Sequence, residues 1–497
     1  MKDEEKYSYM RALNEMLLKK YNDSQTLLFY DYYLFHMSSM YLSFYREHIE
    51  YDNQYSTCEL FVLRSLIESI TIMKMFDEGN IGPDCTELLR GHQYLCEYEV
   101  YKDFSKMPKN IIDLDEMKKN YSDVKDYYKE TLQLNSKEFS NLLSKNNLPF
   151  LKDKYNFHSL IDMYYPEALD LYEKLSVSIH PNIYFDFFKI NGYIIDYKMI
   201  LDETLNISIK YYPNLTVNYE HSYQFEKKEY WNVILYNSIK SYIDSFRETY
   251  EKIKKDLKID INGNENREYL ILYQLIEPDI VSIYIDYLYG FSEVIKAKIK
   301  PLFEKMSVIF YILDNYKSPF FDKLIYSMIK YTDYNFEKRE DIDFKEVYDY
   351  CKDILKCDSI EELKAKFSKY LPEFLEIGSI KKFVYSMIDK IYPNDEQLQA
   401  SSLKLLYMES QLLSHGNGYM LSSNYGSFMD RFGAINAIDI LIDKFYEKVG
   451  DVIEEKAKED SSFKKANYDF TKLYSNYKNK KDIKNKILHS LIEKKIG

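Results

Sequence analysis

Residues that break helices are scarce in this chain, and their scarcity limits its fold more than any other feature of the sequence. The 497 residues include only 13 glycines and 11 prolines. Because these two residues are the most unfavourable in helix interiors, their absence over long stretches favours long helices. Between Asp3 and Tyr21, for example, Leu13, Leu17 and Tyr21 recur along one helical face. The sequence therefore predicts an all-α fold.

Signals that start and stop helices divide the first part of the chain. Apolar periodicity predicts a helix over residues 25–48 and a second helix that ends at Phe76. The second helix has Ser56 or Thr57 as its cap, because a hydroxyl side chain there accepts a hydrogen bond from the first turn. Gly79 then interrupts the chain, as a glycine after a helix commonly does.

Polar segments and glycines also predict domain boundaries. The segment from Pro213 to His221 is the best interior boundary, and Leu215 to Tyr219 alternates enough to predict a short strand. A further break is expected at Gly450, beyond which two polar helices form a C-terminal appendage. We expect five units: an N-terminal helix at 1–24, a first helical module at 25–212, a linker and connecting helix at 213–264, a second helical module at 265–449, and Lys-rich helices at 450–497.

Two parts of the chain align with each other when the sequence is shifted by about 235 residues. Leu66-Ile67-Glu68 then falls on Leu302-Phe303-Glu304, and residues 171–184 fall on residues 406–419. The offset stays nearly constant over a long stretch, as an internal repeat requires. We therefore expect two tandem up-and-down helical bundles related by internal duplication, packed face to face about a pseudo-twofold axis.

The aligned positions share a set of polar side chains. Arg64 and Glu68 lie one helical turn apart, and Tyr172 and His180 lie a little over two turns apart, so each pair shares a face. These groups suit general acid–base chemistry on a phosphodiester, and they equally suit a buried polar network between helices. The candidate site residues are Arg64, Glu68, Tyr172 and His180 in the first copy, and Lys300, Glu304, Tyr407 and His415 in the second.

Charge and cysteine content favour a cytoplasmic protein. The net charge of -13 argues against a surface covered in phosphate contacts, and the five cysteines, which form no CxxC pair, predict reduced thiols. The first six residues are charged, and no apolar run approaches the ~18 residues of a membrane span, so we expect neither a signal peptide nor membrane insertion. Histidines do not cluster with cysteines at zinc spacing, and we expect no cofactor and no metal.

The end of the chain is rich in lysine. Eight lysines lie between Thr471 and Gly497, opposed only by Asp482 and Glu493. Such a helix could contact nucleic acid or an acidic partner. The interpretation we favour is a solvated helix end, whose lysines complement the helix dipole.

Two short motifs resemble those of the HEPN-like helical families. One helix carries R-x-x-x-E at Arg64 and Glu68, and a later helix carries Y-x-x-x-S-x-x-x-H at Tyr172, Ser176 and His180. The second copy is similar, with Tyr407 and His415, but Gln411 replaces the serine. The resemblance implies up-and-down helix bundles that often dimerise and that in many members cleave RNA without a metal. The family's signature also has an arginine shortly before the histidine, and neither copy has one there.

The resemblance implies two functions of different classes. In the first, the chain is an intracellular bacterial defence or stress effector of the abortive-infection type. RNA is then its partner, His180 and His415 are general acid and base, and Arg64 and Lys300 contact phosphate. In the alternative, the chain is a non-catalytic sensor or scaffold. Its partner is then a protein encoded nearby, or a second copy in a homo-oligomer.

Overall fold

The computed structural model describes residues 1–24, 28–50, 56–81, 114–131, 157–178, 197–217, 230–256, 276–289, 292–315, 380–392, 397–413, 428–459 and 463–496, together with a few single residues between these ranges. Within them the chain is almost entirely helical and contains no strand, which confirms the predicted all-α fold. Leu215 to Val217 lie in no regular element, so the predicted strand is wrong there, and Asn218 and Tyr219 lie outside the described residues.

The described ranges contain fourteen α-helices, and a single 3-10 turn at Pro166–Ala168 precedes the sixth of them. The helices are α1 (Asp3–Ser24), α2 (Phe29–Glu50), α3 (Thr57–Asp77), α4 (Leu114–Thr131), α5 (Phe157–Tyr164), α6 (Leu169–Ser178), α7 (Lys198–Tyr211), α8 (Tyr230–Asp256), α9 (Ile276–Tyr289), α10 (Ser292–Asn315), α11 (Ile380–Ile391), α12 (Gln397–Leu413), α13 (Phe428–Glu459) and α14 (Phe463–Ile496).

Helix α3 begins and ends where its local sequence predicts. The backbone of Ser56 is extended, and its side-chain hydroxyl accepts a hydrogen bond from the Glu59 N–H at 2.9 Å. This bond satisfies one donor of the first turn. Gly79 follows the helix with a φ of 73°, a left-handed conformation that glycine adopts without a steric penalty. The predicted cap and stop signals are therefore confirmed for this helix.

Two hydrophobic cores lie on either side of a central contact between α3 and α10. Helix α3 packs against α2, α5, α6 and α7, and their buried side chains form the first core. Helix α10 packs against α9, α11, α12 and α13, and these helices with α8 and α14 form the second core. In both cases the central helix packs against the helix before it and three helices after it, as the duplication predicts. The duplication itself stays a prediction.

The Lys-rich helix α14 is part of the second core, so the predicted appendage is corrected. It packs along α8 and α13 and buries Phe470, Tyr477 and Leu488. The expected break at Gly450 is also absent, because α13 continues through this residue to Glu459. Glycine is needed there for packing, since a Cβ at position 450 would lie 2.9 Å from Cε1 of Phe470.

A fully buried lysine fixes α14 in place. The Lys484 amine donates to Asp439 on α13 at 2.5 Å and to the Tyr284 hydroxyl on α9 at 2.9 Å. It also lies 4.1 Å from the ring centroid of Tyr242 on α8, a cation–π contact. Lys484 is therefore a core residue, whereas the sequence favoured solvated lysines throughout this segment.

A second buried charge cluster joins α2 to α9 and α10. The Lys298 amine on α10 contacts Glu47 on α2 and lies 2.7 Å from Asp286 on α9. It also donates to the hydroxyls of Ser43 and Ser282 at 2.7 Å each, and none of these side chains is open to solvent. Burial raises the pKa of the Asp286 carboxyl to about 7. This cluster holds the two cores against each other.

Lys484→Met should destabilise the protein strongly, because it leaves the Asp439 carboxylate buried without its cation. Breaking a buried pair in this way costs about 3–5 kcal/mol. The matched control is Lys486→Met, two residues away on the exposed side of α14. Chemical denaturation of both variants checks the expectation, and equal midpoints for the two would contradict it.

Asp286→Asn should change how stability depends on pH. Because the folded-state pKa of Asp286 is raised to about 7, its contribution to stability is fully present below about pH 4 and is lost as the pH rises to about 7. We expect the melting temperature of the wild type to fall by several degrees relative to Asp286→Asn over this interval. Burial lowers the pKa of His36 to about 4, which has the opposite effect but is common to both proteins. A constant difference across the interval would contradict the prediction.

Candidate functional site

The first candidate set links α3 to α6 through three side chains. Arg64 and Glu68 lie one turn apart on α3, with Nη2 of Arg64 3.3 Å from Oε1 of Glu68. The Tyr172 hydroxyl on α6 donates to the same Glu68 oxygen at 3.0 Å and accepts from Arg64 at 3.2 Å. Each member therefore contacts the other two, as the shared helical faces in the sequence suggested.

The second set links α10 to α12 in the same way. The Tyr407 hydroxyl on α12 donates to Oε1 of Glu304 on α10 at 3.1 Å. Its other partner is the Gln411 amide at 2.9 Å, which takes the place that Arg64 has in the first set. The tyrosine–glutamate bond is therefore present in both halves, while the third member differs.

Most of these side chains are buried. Glu68, Tyr172, Glu304 and Tyr407 each keep 5% or less of their surface exposed. Burial, followed by the nearby carboxylates, raises the pKa of both tyrosines above its ordinary value, so both hydroxyls stay protonated donors at neutral pH. The two tyrosine–glutamate bonds hold α6 on α3 and α12 on α10, and the predicted catalytic role of these four residues stays a prediction.

Lys300 lies between the two sets. It is 9% exposed, and it forms no ion pair or hydrogen bond with any residue that the structure describes. Burial lowers its pKa, Glu304 and Glu68 oppose that shift, and Arg64 adds to it. Because charges on α3 act on a lysine of α10, the two sets are neighbours across the central helix contact. Arg64, with 15% of its side chain exposed, is the more accessible of the two cations.

Sequence reasoning missed a histidine beside the first set. His36 on α2 is buried, and its Nε2 lies 2.9 Å from the Ser65 hydroxyl on α3. Burial lowers its pKa to about 4 although Glu68 opposes the shift, so the ring is neutral at pH 7. Its counterpart in the shifted alignment is not a histidine, and this explains why comparison of the two aligned segments could not reveal it.

His180 and His415 lie outside the described residues. The positions of the two helices are nevertheless informative. Helix α6 is described to Ser178, two residues before His180, and α12 is described to Leu413, two residues before His415. Each histidine therefore lies, in sequence, two residues beyond the described part of a helix that a tyrosine–glutamate bond anchors.

Within the described ranges, no three His, Cys, Asp or Glu side chains come close enough to hold a metal ion. None of the helices described there is both long and apolar enough to span a bilayer. Cys58 and Cys85 are buried, while Cys96, Cys351 and Cys357 lie outside the described residues.

No protein-family model, curated protein or solved structure matches this chain.

Tyr407→Phe should destabilise the second half by about 1.5–3 kcal/mol, because it removes a hydroxyl that donates to the buried Glu304 carboxylate. The ring still stacks on Phe303, so packing is retained. Tyr172→Phe should cost less, since Arg64 keeps its contact with Glu68. Thermal unfolding measures both losses. The control is Tyr468→Phe at a position that is 71% exposed, and a loss there as large as at Tyr407 would contradict the assignment.

Proposed function

We propose that this chain is an intracellular bacterial defence or stress effector of the HEPN-like type that cleaves RNA without a metal ion. One observation carries the proposal. In each half, a tyrosine hydroxyl bonds a buried glutamate on the neighbouring helix, and a histidine follows eight residues after that tyrosine. Equivalent anchoring of two helices that each lead to a histidine supports a paired catalytic arrangement.

The two histidines act as general base and general acid in this proposal. One neutral imidazole takes the proton of a ribose 2′-hydroxyl, and the 2′-oxygen then attacks the adjacent phosphorus. The other imidazole, protonated, gives its proton to the departing 5′-oxygen, so that the chain breaks and a cyclic phosphate remains. An imidazole titrates near neutral pH and can take either part. His180 and His415 are the residues to which we assign these two roles.

Arg64 and Lys300 contribute positive charge near the central helix contact. A scissile phosphate gains negative charge in the transition state, and a cation nearby stabilises it. Arg64 offers planar donors suited to phosphate, although Tyr172 and Glu68 already engage it. Lys300 is less exposed than Arg64 but forms no ion pair or hydrogen bond with a described residue.

A second candidate function is a non-catalytic sensor or scaffold that binds a protein partner. The burial of the tyrosine–glutamate bonds favours it, because such networks fix helix positions whether or not chemistry follows. Under this proposal the histidines stabilise helix ends through the helix dipole. The two candidates differ in what loss of the histidines does.

The test compares wild type with His180→Ala/His415→Ala in bacteria, by growth and total RNA integrity, with and without phage challenge. We expect the wild type to arrest growth and fragment RNA, and the double variant to do neither. Purified protein with a chelator should still cleave RNA. His158→Ala is the matched control, since this histidine is exposed and outside the aligned set.

Melting curves separate the two candidate functions. If the double variant unfolds like wild type but leaves RNA intact, the histidines are catalytic. If it melts several degrees lower while wild type itself leaves RNA intact, the scaffold is favoured. Unchanged cleavage by a folded double variant would show the catalytic assignment to be wrong.

A further inference from the structure

Positive charge is concentrated on α14. Residues 463–496 contain ten lysines and three acidic residues, a net charge of +7. The whole chain carries -13, so the remaining residues together carry -20. The helix dipole favours positive charge only in the last turn of a helix. It therefore does not explain lysines distributed along the whole of α14.

The two faces of α14 differ in what their lysines do. On the inner face, Lys484 forms an ion pair with Asp439, and the nearby Lys481 forms one with Asp443. On the outer face, no ion pair joins any of the exposed lysines to another described residue. These lysines are Lys464, Lys465, Lys472, Lys478 and Lys486.

The five exposed lysines form a narrow strip. At 3.6 residues per turn they fall within about 140° of the helix circumference, and at 1.5 Å per residue they extend over roughly 33 Å. Asp482 is the acidic residue that shares this arc. Tyr468 lies near its centre with 71% of its surface exposed. Because the opposite face is packed on α8 and α13, the strip is held on a rigid support.

The two helices that pack against α14 carry exposed acidic groups. Helix α8 exposes Asp244, Glu248 and Glu251, and α13 exposes Glu447 and Asp451. These carboxylates repel a ligand with widely spread negative charge, such as a nucleic-acid duplex or an anionic membrane. A single phosphate backbone that follows the strip avoids them.

We propose that the outer face of α14, from Lys464 to Lys486, binds single-stranded RNA. The lysines contact its phosphates, and the exposed ring of Tyr468 stacks on a base. This binding surface is separate from the histidines, and the inference does not depend on cleavage.

The test measures binding of the full chain to a fluorescent single-stranded RNA of about 20 nucleotides, somewhat longer than the ~4–16 nucleotides that proteins of this kind cover. Its riboses carry 2′-O-methyl groups, so that it cannot be cleaved and failure of the cleavage proposal leaves the result interpretable. The strip variant is Lys472→Glu/Lys478→Glu/Lys486→Glu. We expect this variant to bind at least about tenfold more weakly than wild type. The plot of log binding constant against log salt concentration should become shallower by a slope of about 2, because three phosphate contacts are lost.

The control Lys19→Glu/Lys118→Glu/Lys119→Glu makes the same change in net charge at exposed lysines elsewhere. It should lose much less affinity than the strip variant. Tyr468→Ala should lose about fivefold or more in affinity, the loss expected of one stacked base.

Equal losses in the strip and control variants would overturn the proposal, as would absence of binding by wild type. Equally tight binding of a duplex of the same length would overturn its single-strand preference. Unchanged melting curves show that the variants remain folded.

Discussion

The buried charge of Lys298 is the constraint on which the arrangement of the two halves depends. A lysine with no exposed surface is very costly unless carboxylates and hydroxyls surround its amine. Here those groups come from α2 and α9, and Glu47 lies 251 residues away in sequence. Although burial lowers the pKa of Lys298, Asp286 and Glu47 raise it above its ordinary value. The two halves must therefore meet in one register for the charge to be tolerated.

The repeated tyrosine–glutamate bond is a local consequence of that larger arrangement. Helices α3 and α10 meet at the centre, so each has little exposed surface and must satisfy its polar groups within the fold. Each does so by accepting a hydrogen bond from a tyrosine on a helix that packs against it. The third member differs because Arg64 reaches the hydroxyl from α3 itself, whereas Gln411 reaches it from one turn along α12.

How well the sequence predicts this structure depends on whether the signal is local. Ser56 and Gly79 act on their own turn, so the limits of α3 could be predicted. The burial of Lys484 could not, because it depends on Asp439 and on tyrosines of two further helices. Alignment of the two halves found Tyr172 and Glu68 but not their burial. It could find neither His36 nor the Lys298 cluster, because those groups have no aligned counterparts.

The late position of Lys484 in the sequence has a consequence for folding during synthesis. The ribosome makes Tyr242, Tyr284 and Asp439 before it makes Lys484. During that interval the Asp439 carboxylate has no lysine to pair with in the second core. Until α14 emerges, α8 and α13 also lack the helix that covers them. The first core comes mainly from α1, α2, α3, α5, α6 and α7, and the cation that its buried Glu47 requires is Lys298, which is made long before Lys484. The order of emergence therefore favours a nascent chain whose first half is structured while its second half still exposes apolar surface to chaperones.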